Sequence, residues 1–274
     1  MQKTMSQDKV SVVTVVYNAV SIIEETIKSV LSQTYSNLEY IVIDGGSSDG
    51  TIDVIRKYED RISIFISEPD KGIYDAMNKG IDKSTGNWIN FMNAGDFFYS
   101  TSSVSDIFDI PEDDYSKYAA VYGDAEYRLK SFSYIRQGYE CDRDHFMPFS
   151  HQAAFARADI AKKNKFNLKY KIAADTEFFL RLNREGYLLK HVPVIVCSYD
   201  ASVGISMNSE VKHAKEFVEM QIEYGAPKDS PYFKKYIKSA YIRQYMRRLI
   251  PHAIWERMRE NKIKKQSDII IKEI

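Results

Sequence analysis

Hydrophobic and polar positions change period several times in the first hundred residues, and each change marks an element. The run Val10–Val16 is continuous and mostly β-branched, which predicts a strand buried on both faces. Ile23, Ile27, Val30 and Leu31 then recur at helical spacing behind Ser21-Ile22-Ile23-Glu24, whose S-x-x-E form predicts a capping box. Residues 40–43 predict a second strand, and Ile52, Ile55 and Tyr58 a helix with Thr51 as its cap. A strand over 62–66, a helix over 74–81 and a strand over 88–92 follow, the last running into Asn93-Ala94-Gly95-Asp96. This alternation predicts an α/β fold, a mostly parallel, Rossmann-like sheet with helices on both faces. Ligands of such sheets bind outside the carboxyl ends of the strands. Polar loops fall there, at residues 17–18, 44–49, 68–72 and 93–96.

After Asp96 the pattern loosens. Strands are predicted over 118–122, 133–137 and 188–197, mixed loop and strand over 146–157, and a helix over 175–185 with Phe178, Phe179 and Leu182 on one side. From Glu210 onward the chain reads as amphipathic helix, broken near Pro227, Pro231 and Pro251. The organisation expected is a nucleotide-sugar half (1–98), an acceptor-side half of the same catalytic domain (99–209) and a basic helical tail (210–274).

Composition adds limits. The chain has 274 residues, 44% hydrophobic and 28% charged, enough for one large α/β domain. No stretch approaches the roughly 20 apolar residues that span a bilayer. A short polar segment before Val10 does not read as a signal peptide, so a cytoplasmic protein is expected. Cys141 and Cys197 have no zinc-like spacing and read as reduced thiols. Net charge is zero, yet residues 232–265 hold 11 Lys and Arg against two Glu, an excess of +9. A basic, aromatic-rich tail on an acidic body predicts an anionic partner surface, here a membrane at the inner face of the cell. Nucleic acid has no accompanying motif.

Several loops carry residue types suited to a phosphorylated ligand. Thr14-Val15-Val16-Tyr17-Asn18 ends a strand with an aromatic face and backbone groups. Asp44, in Asp44-Gly45-Gly46-Ser47-Ser48-Asp49-Gly50-Thr51, is placed to accept from a base N–H or a ribose hydroxyl; Ser47 and Ser48 also suit a plain turn. Lys71 is a phosphate or base contact, and Gly72 lets a backbone approach closely. Asp96 at a strand end suits a hard cation shared with diphosphate oxygens and water.

In this order and spacing, Thr14–Asn18, Asp44–Thr51, Gly72–Gly80 with Asn78, and Asn93–Asp96 resemble the inverting glycosyltransferases of family 2, of GT-A fold, most closely those of bacterial polysaccharide synthesis. The resemblance is strong over 10–96, recognisable to about 200, and fades in the tail. It implies transfer of a hexose-type sugar from a nucleoside diphosphate, UDP by family frequency, to a glycan or lipid-linked hydroxyl. Donor contacts implied are Thr14, Val15, Tyr17, Asn18, Asp44, Ser47, Lys71, Gly72, Asn78, Asn93 and Ala94. The metal motif departs from the family's Asp-x-Asp: with Asn93 and Gly95 in place, Asp96 is the sole carboxylate for Mn or Mg. Ala173-Ala174-Asp175 resembles the family's Glu-Asp, implying Asp175 as the base, although Asp175 also suits a helix N-cap. Ser150-His151-Gln152 and Tyr122-Gly123-Asp124 resemble acceptor-side segments, implying sugar or acceptor roles for His151, Gln152 and Asp124; His191 reads as structural. A homo-oligomer is compatible with all of this.

Rival readings are weaker. A dinucleotide-binding oxidoreductase needs G-x-G-x-x-G where Tyr17-Asn18-Ala19 stands. A nucleotidyltransferase needs a Gly-rich basic signature for triphosphate, which the first hundred residues lack. The altered metal motif keeps open a degenerate sugar-nucleotide-binding protein without turnover.

Overall fold

The computed structural model describes residues 8–109, 114–140, 149–201, 209–265 and 269–273; Cys141 and the start of the 146–157 segment lie outside them. Parallel strands β1 (Val10–Val16), β2 (Leu38–Asp44), β3 (Ile64–Ser67) and β4 (Trp88–Phe91) form the first half of a mixed sheet. Every residue of β1 is buried, because alternate side chains enter cores on both faces. Val12 and Val16 pack with Ile23 and Ile27 of α1 (Ile23–Leu31) on one side. Val13 and Val15 pack with Met77 and Ile81 of α3 (Ile73–Lys83) on the other. Helix α2 (Thr51–Arg56) joins α1 on the first side, where Ile55 packs with Ile23 and Ile27.

Beyond β4 most strands are added antiparallel. Strands β8 (Ala154–Arg157), β6 (Tyr118–Arg128), β7 (Phe132–Arg136) and β10 (Ile269–Glu273) continue the sheet, in the order β3-β2-β1-β4-β8-β6-β7-β10. β9 (Leu188–Asp200) runs parallel to β6 and carries β5 (Asp96–Phe98) antiparallel on its end. The "mostly parallel" expectation therefore holds for the first half of the sheet only. The same core that holds Val13 and Met77 also takes in Ala154, Phe178 and Leu182, so segments on both sides of Asp96 fold around shared apolar side chains.

Short helices α4 (Ser105–Phe108) and α5 (Ala158–Asn164) lead to α6 (Ala174–Arg184). The tail forms α7 (Glu210–Glu223), α8 (Pro231–Leu249) and α9 (His252–Ile263), with Pro231 at the first turn of α8, where its missing N–H costs nothing. The tail does not stay helical. Ile269-Ile270-Ile271 open β10 (Ile269–Glu273), which pairs antiparallel with β7 and closes that edge; three successive β-branched residues favour an extended backbone.

Local capping also differs from the sequence reading. Helix α1 starts after Ile22 with no side-chain cap, and Glu24 instead accepts from Tyr58 Oη at 2.6 Å. Gly50, at φ 98°, precedes α2, so Thr51 is its first residue and Asp49 accepts from the Thr51 N–H at 3.0 Å.

Candidate active site

Register sets the floor of the site. Pairings Val16↔Asp44, Asp44↔Ser67 and Val13↔Phe91 bring the loops after β1, β2, β3 and β4 to one edge of the sheet. Two of these loops are knitted together by their own polar atoms. Asn18 N–H donates to Ser47 Oγ at 2.8 Å, and Asn18 Oδ1 accepts from the Ser48 N–H at 2.9 Å; Asn18 meets both from a left-handed backbone, φ 47°.

Asp44 does not face a ligand. It is 0% exposed, and its oxygens accept from Gly46 N–H, Ser47 N–H, Ser47 Oγ and Ser67 Oγ at 3.0, 3.0, 2.5 and 2.7 Å. Four donors leave it no free direction, so both Asp44 and Ser47 build the loop. Thr14 is likewise turned inward: its hydroxyl contacts Tyr40 Oη at 3.0 Å and Met92 O at 2.8 Å. The Val15 carbonyl accepts from the Ala94 N–H, so these two residues fix the loop after β4. Asn78 clamps the chain at Phe166, donating to its carbonyl at 3.0 Å and accepting from its N–H at 2.9 Å. Each of these side chains supports the edge.

What stays open is a corner formed by Tyr17, Gly45 and Asp70. Tyr17 is 64% exposed. A Cβ at Gly45 would collide with the Asp70 carboxylate and lie 3.4 Å from the Tyr17 ring, so only glycine lets the three approach. Asp70 accepts from the Gly72 N–H at 2.8 Å, and Lys71 and Gly72 lie exposed beside it, just before α3.

Across the edge, a hydrogen-bonded chain links both halves of the sequence. Asn93 Nδ2 lies 3.2 Å from His151 Nε2, and His151 Nδ1 lies 3.0 Å from Asp175 Oδ2. The Tyr74 hydroxyl lies 3.1 Å from Asp175 Oδ1 and 2.8 Å from Ile172 O. Asp175 is not a cap: α6 begins after Ala173, without a side-chain cap, and the Asp175 carboxylate points toward His151. Burial pushes the Asp175 carboxyl up, but hydrogen bonding and charge from His151, with help from the Thr176 N–H and Tyr74, hold it below its usual range. Burial pushes His151 down, while the bond to Asp175 and the charges of Asp175 and Asp96 carry it above its usual value. The result is a carboxylate that stays ionised at neutral pH, held by a ring that donates to it from Nδ1 and accepts from Asn93 Nδ2 at Nε2.

Asp96 adjoins this chain through the 151–152 turn. Gln152 Nε2 donates to Asp96 Oδ2 at 3.0 Å. Burial pushes its carboxyl up to about 6, against the opposing charge of His151, the Gln152 bond and Arg128. The Asn93 side chain is buried, and its Oδ1 has no partner among the described residues. The orphaned atom is the acceptor because the Nδ2 donor is turned to His151 Nε2, as the neutral ring with its proton on Nδ1 requires. A buried polar atom without a partner, beside an under-satisfied carboxylate, fits a ligand that supplies positive charge. Asp96 and Asn93 Oδ1 suit a hard cation that takes its remaining ligands from phosphate and water. Among the described residues no three His, Cys, Asp or Glu side chains form a metal cage.

Asp124 stands apart from this cluster in its contacts. It accepts from the Gly138 N–H at 2.8 Å and pairs with His191 Nε2 at 2.8 Å, which makes the two a structural pair between β6 and β9.

Three contributors were not legible in the sequence. Tyr74 reaches Asp175 because the first turns of α3 and α6, distant in the chain, meet over one shared core. Glu216 of α7 accepts from the N–H groups of Lys171, Ile172 and Ala173 at 2.8–3.1 Å, fixing the turn that delivers Asp175. His213, on the same helix, has its ring pushed down mainly by burial, opposed by the charges of Asp175, Glu216 and Glu210. The signal available was a lone carboxylate beside Phe217 and Val218 on the buried face of α7.

Comparison with known proteins matches residues 11–180 to the model of glycosyl transferase family 2. A PGL/p-HBAD biosynthesis glycosyltransferase of Mycobacterium tuberculosis is 29% identical over 211 residues, covering 74% of this chain and 80% of that one. A second glycosyltransferase of that organism is 32% identical over 182 residues, 64% of this chain and 69% of the other. Two solved structures share the fold. A Pyrobaculum calidifontis mannosyltransferase in complex with GDP-Man and Mn2+ superposes with TM-score 0.62 at 18% identity, over 86% of this chain and 70% of that one. S. aureus TarS 1-349 in complex with UDP gives 0.61 at 15% identity, over 87% and 72%.

Proposed function

The chain belongs to glycosyl transferase family 2, and on that premise we propose that it transfers a hexose-type sugar, with inversion, from a nucleoside diphosphate to a hydroxyl of a glycan or lipid-linked sugar in surface glycan synthesis. One observation carries this reading. The chain Asn93–His151–Asp175–Tyr74 joins the loop beside the donor edge to a carboxylate from the second half of the protein.

The donor's base stacks on exposed Tyr17, with Asp70 as the free acceptor that Asp44 cannot be. Lys71 and the backbone at Gly72 meet its phosphates. Asp96 and Asn93 Oδ1 would hold a Mn or Mg ion, which would neutralise charge on the diphosphate. Tyr74 and His151 hold the Asp175 carboxylate ionised and oriented. The acceptor oxygen forms its bond to the anomeric carbon, the bond from that carbon to the diphosphate oxygen breaks, and the acceptor proton passes to Asp175. The low pKa of Asp175 limits its driving force as a base, so its contribution lies mainly in position. UDP among the nucleotides is supported by the UDP complex of a protein of the same fold, and GDP by the mannosyltransferase; a thermal-shift screen of nucleoside diphosphates with Mn separates them.

The decisive test is Asp175→Asn. Folding and nucleoside diphosphate binding persist, while transfer falls about 10²–10⁴-fold. A rate near wild type removes Asp175 from the chemistry. Nucleotide binding without transfer or donor hydrolysis in the unaltered chain would identify a non-catalytic binding protein instead.

A further inference from the structure

Helix α8 is unusual in where it puts its apolar side chains. At about 100° per residue, Lys234, Lys238, Tyr241, Tyr245, Arg248 and Leu249 share one arc, flanked by Lys235, Ile242 and Met246. Every one of these residues is exposed. Leu249 and Tyr245 are each 62% exposed, whereas Phe233 and Ala240, on the opposite side of the helix, are buried. The apolar residues thus face outward and not onto the body. Lysines occupy the first two turns of the arc, and aromatic and aliphatic side chains, with Arg248 among them, the last three. Past Pro251, α9 also exposes Ile254 and Met258, one turn apart, next to exposed Arg257 and Lys262.

We propose that this outward face of α8 and α9 docks the protein on an anionic lipid bilayer, lying in its interface. The charge of the face decides the occupant. Helix α8 contains no Asp or Glu, so two copies meeting face to face would oppose like charges, while acidic headgroups complement it. Tyr and long cationic side chains suit the headgroup level, and Ile242, Leu249 and Ile254 reach the acyl boundary. Among the described residues no helix is long and apolar enough to cross a membrane, so the contact lies along the surface.

The face is also mechanically close to the chemistry. Helix α8 rests on α7 through Phe217 and Tyr236, ring centroids 5.1 Å apart, and through Arg243 and Glu210 at 2.8 Å. Helix α7 in turn supplies Glu216 to the turn before Asp175 and reaches Glu177 of α6 through the Tyr224 hydroxyl at 2.5 Å. One helix therefore separates the docking face from the acceptor side. That docking serves to present a lipid-linked acceptor rests on the function proposed above; the docking itself does not.

Flotation of the full chain with phosphatidylcholine vesicles, with and without phosphatidylglycerol, tests it. Binding requires phosphatidylglycerol and weakens with salt. Tyr245→Ser combined with Leu249→Ser weakens it about tenfold or more, and Lys234→Gln, Lys235→Gln and Lys238→Gln together remove the preference for acidic lipid. All these positions are exposed, and an unchanged melting temperature confirms folding. Failure of the unaltered chain to bind overturns the proposal, as does undiminished binding by the serine variant. A concentration-dependent dimer in sedimentation that the serine variant dissolves would also overturn it, assigning the face to a second copy. Because flotation needs no turnover, loss of docking and loss of the Asp175 assignment are read separately.

Discussion

Glu39 and Asp96 are carboxylates at opposite ends of one sheet, and they are built in opposite ways. Glu39 enters β2 at its amino end, 5% exposed. It accepts from Ser11 Oγ, Thr85 N–H, Thr85 Oγ1 and Lys9 Nζ at 2.6, 2.8, 2.7 and 3.0 Å. Burial pushes its carboxyl up, but those four donors outweigh burial and bring it down to about 2. Asp96, at the carboxyl end, has one side-chain donor from Gln152, and burial dominates, pushing it up to about 6. Burial is common to both; the number of donors separates them. A saturated carboxylate is structural, and an unsaturated one waits for charge from a ligand. Asp44 obeys the same rule, since it sits on the functional edge and yet, with four donors, belongs to the scaffold.

Substitution can break this comparison. The largest expected effect is on Asp96→Asn, which lowers transfer about 10²-fold or more and removes any strengthening of nucleoside diphosphate binding by Mn, read by titration calorimetry. Its melting temperature does not fall, because no saturated network is lost. A drop comparable to that of a core mutation would show Asp96 to be structural.

Glu39→Gln should do the reverse. It leaves turnover per folded molecule unchanged but destabilises by about 3 kcal/mol, because an amide cannot accept from four donors. The pH dependence gives the sign. The folded-state pKa of Glu39 lies below its unfolded value of 4.5, so its contribution is complete above that value and disappears as pH falls toward 2. Denaturant midpoints between pH 5 and 2 should fall in the native chain more steeply than in Glu39→Gln, and parallel curves would refute the assignment.

The smallest effect sharpens a third case. Glu216→Gln weakens the grip on three N–H groups ahead of Asp175, so kcat falls about tenfold while donor KM is unchanged. Glu216→Asp, which keeps the charge, recovers part of the rate. Equal loss in kcat and stability, with no recovery, would make Glu216 a packing residue only.

The sequence by itself determined the order of strands and helices up to β4, since periods of 2 and 3.6 are local properties of the chain. Val10–Val16, the helices at 23–31 and 73–83, and the breaks at Pro231 and Pro251 were all legible for that reason. So was the resemblance of four loops and Asp175 to one family, because motif spacing survives without a structure. Only the tertiary structure decided which of the motif residues are available. Asp44, Thr14 and Asn78 have the right chemistry, but partners from Ser67, Tyr40 and Phe166 occupy them. Asp175 suits a cap on paper, yet His151 and Tyr74 draw it into the site. The tail's charge predicted an anionic partner surface, but which side of α8 faces outward was decided by the burial of Phe233 and Ala240. Hydrogen-bond saturation and the direction a helix faces depend on residues distant in the chain, and their meeting is fixed only when the two halves of the sheet share one core.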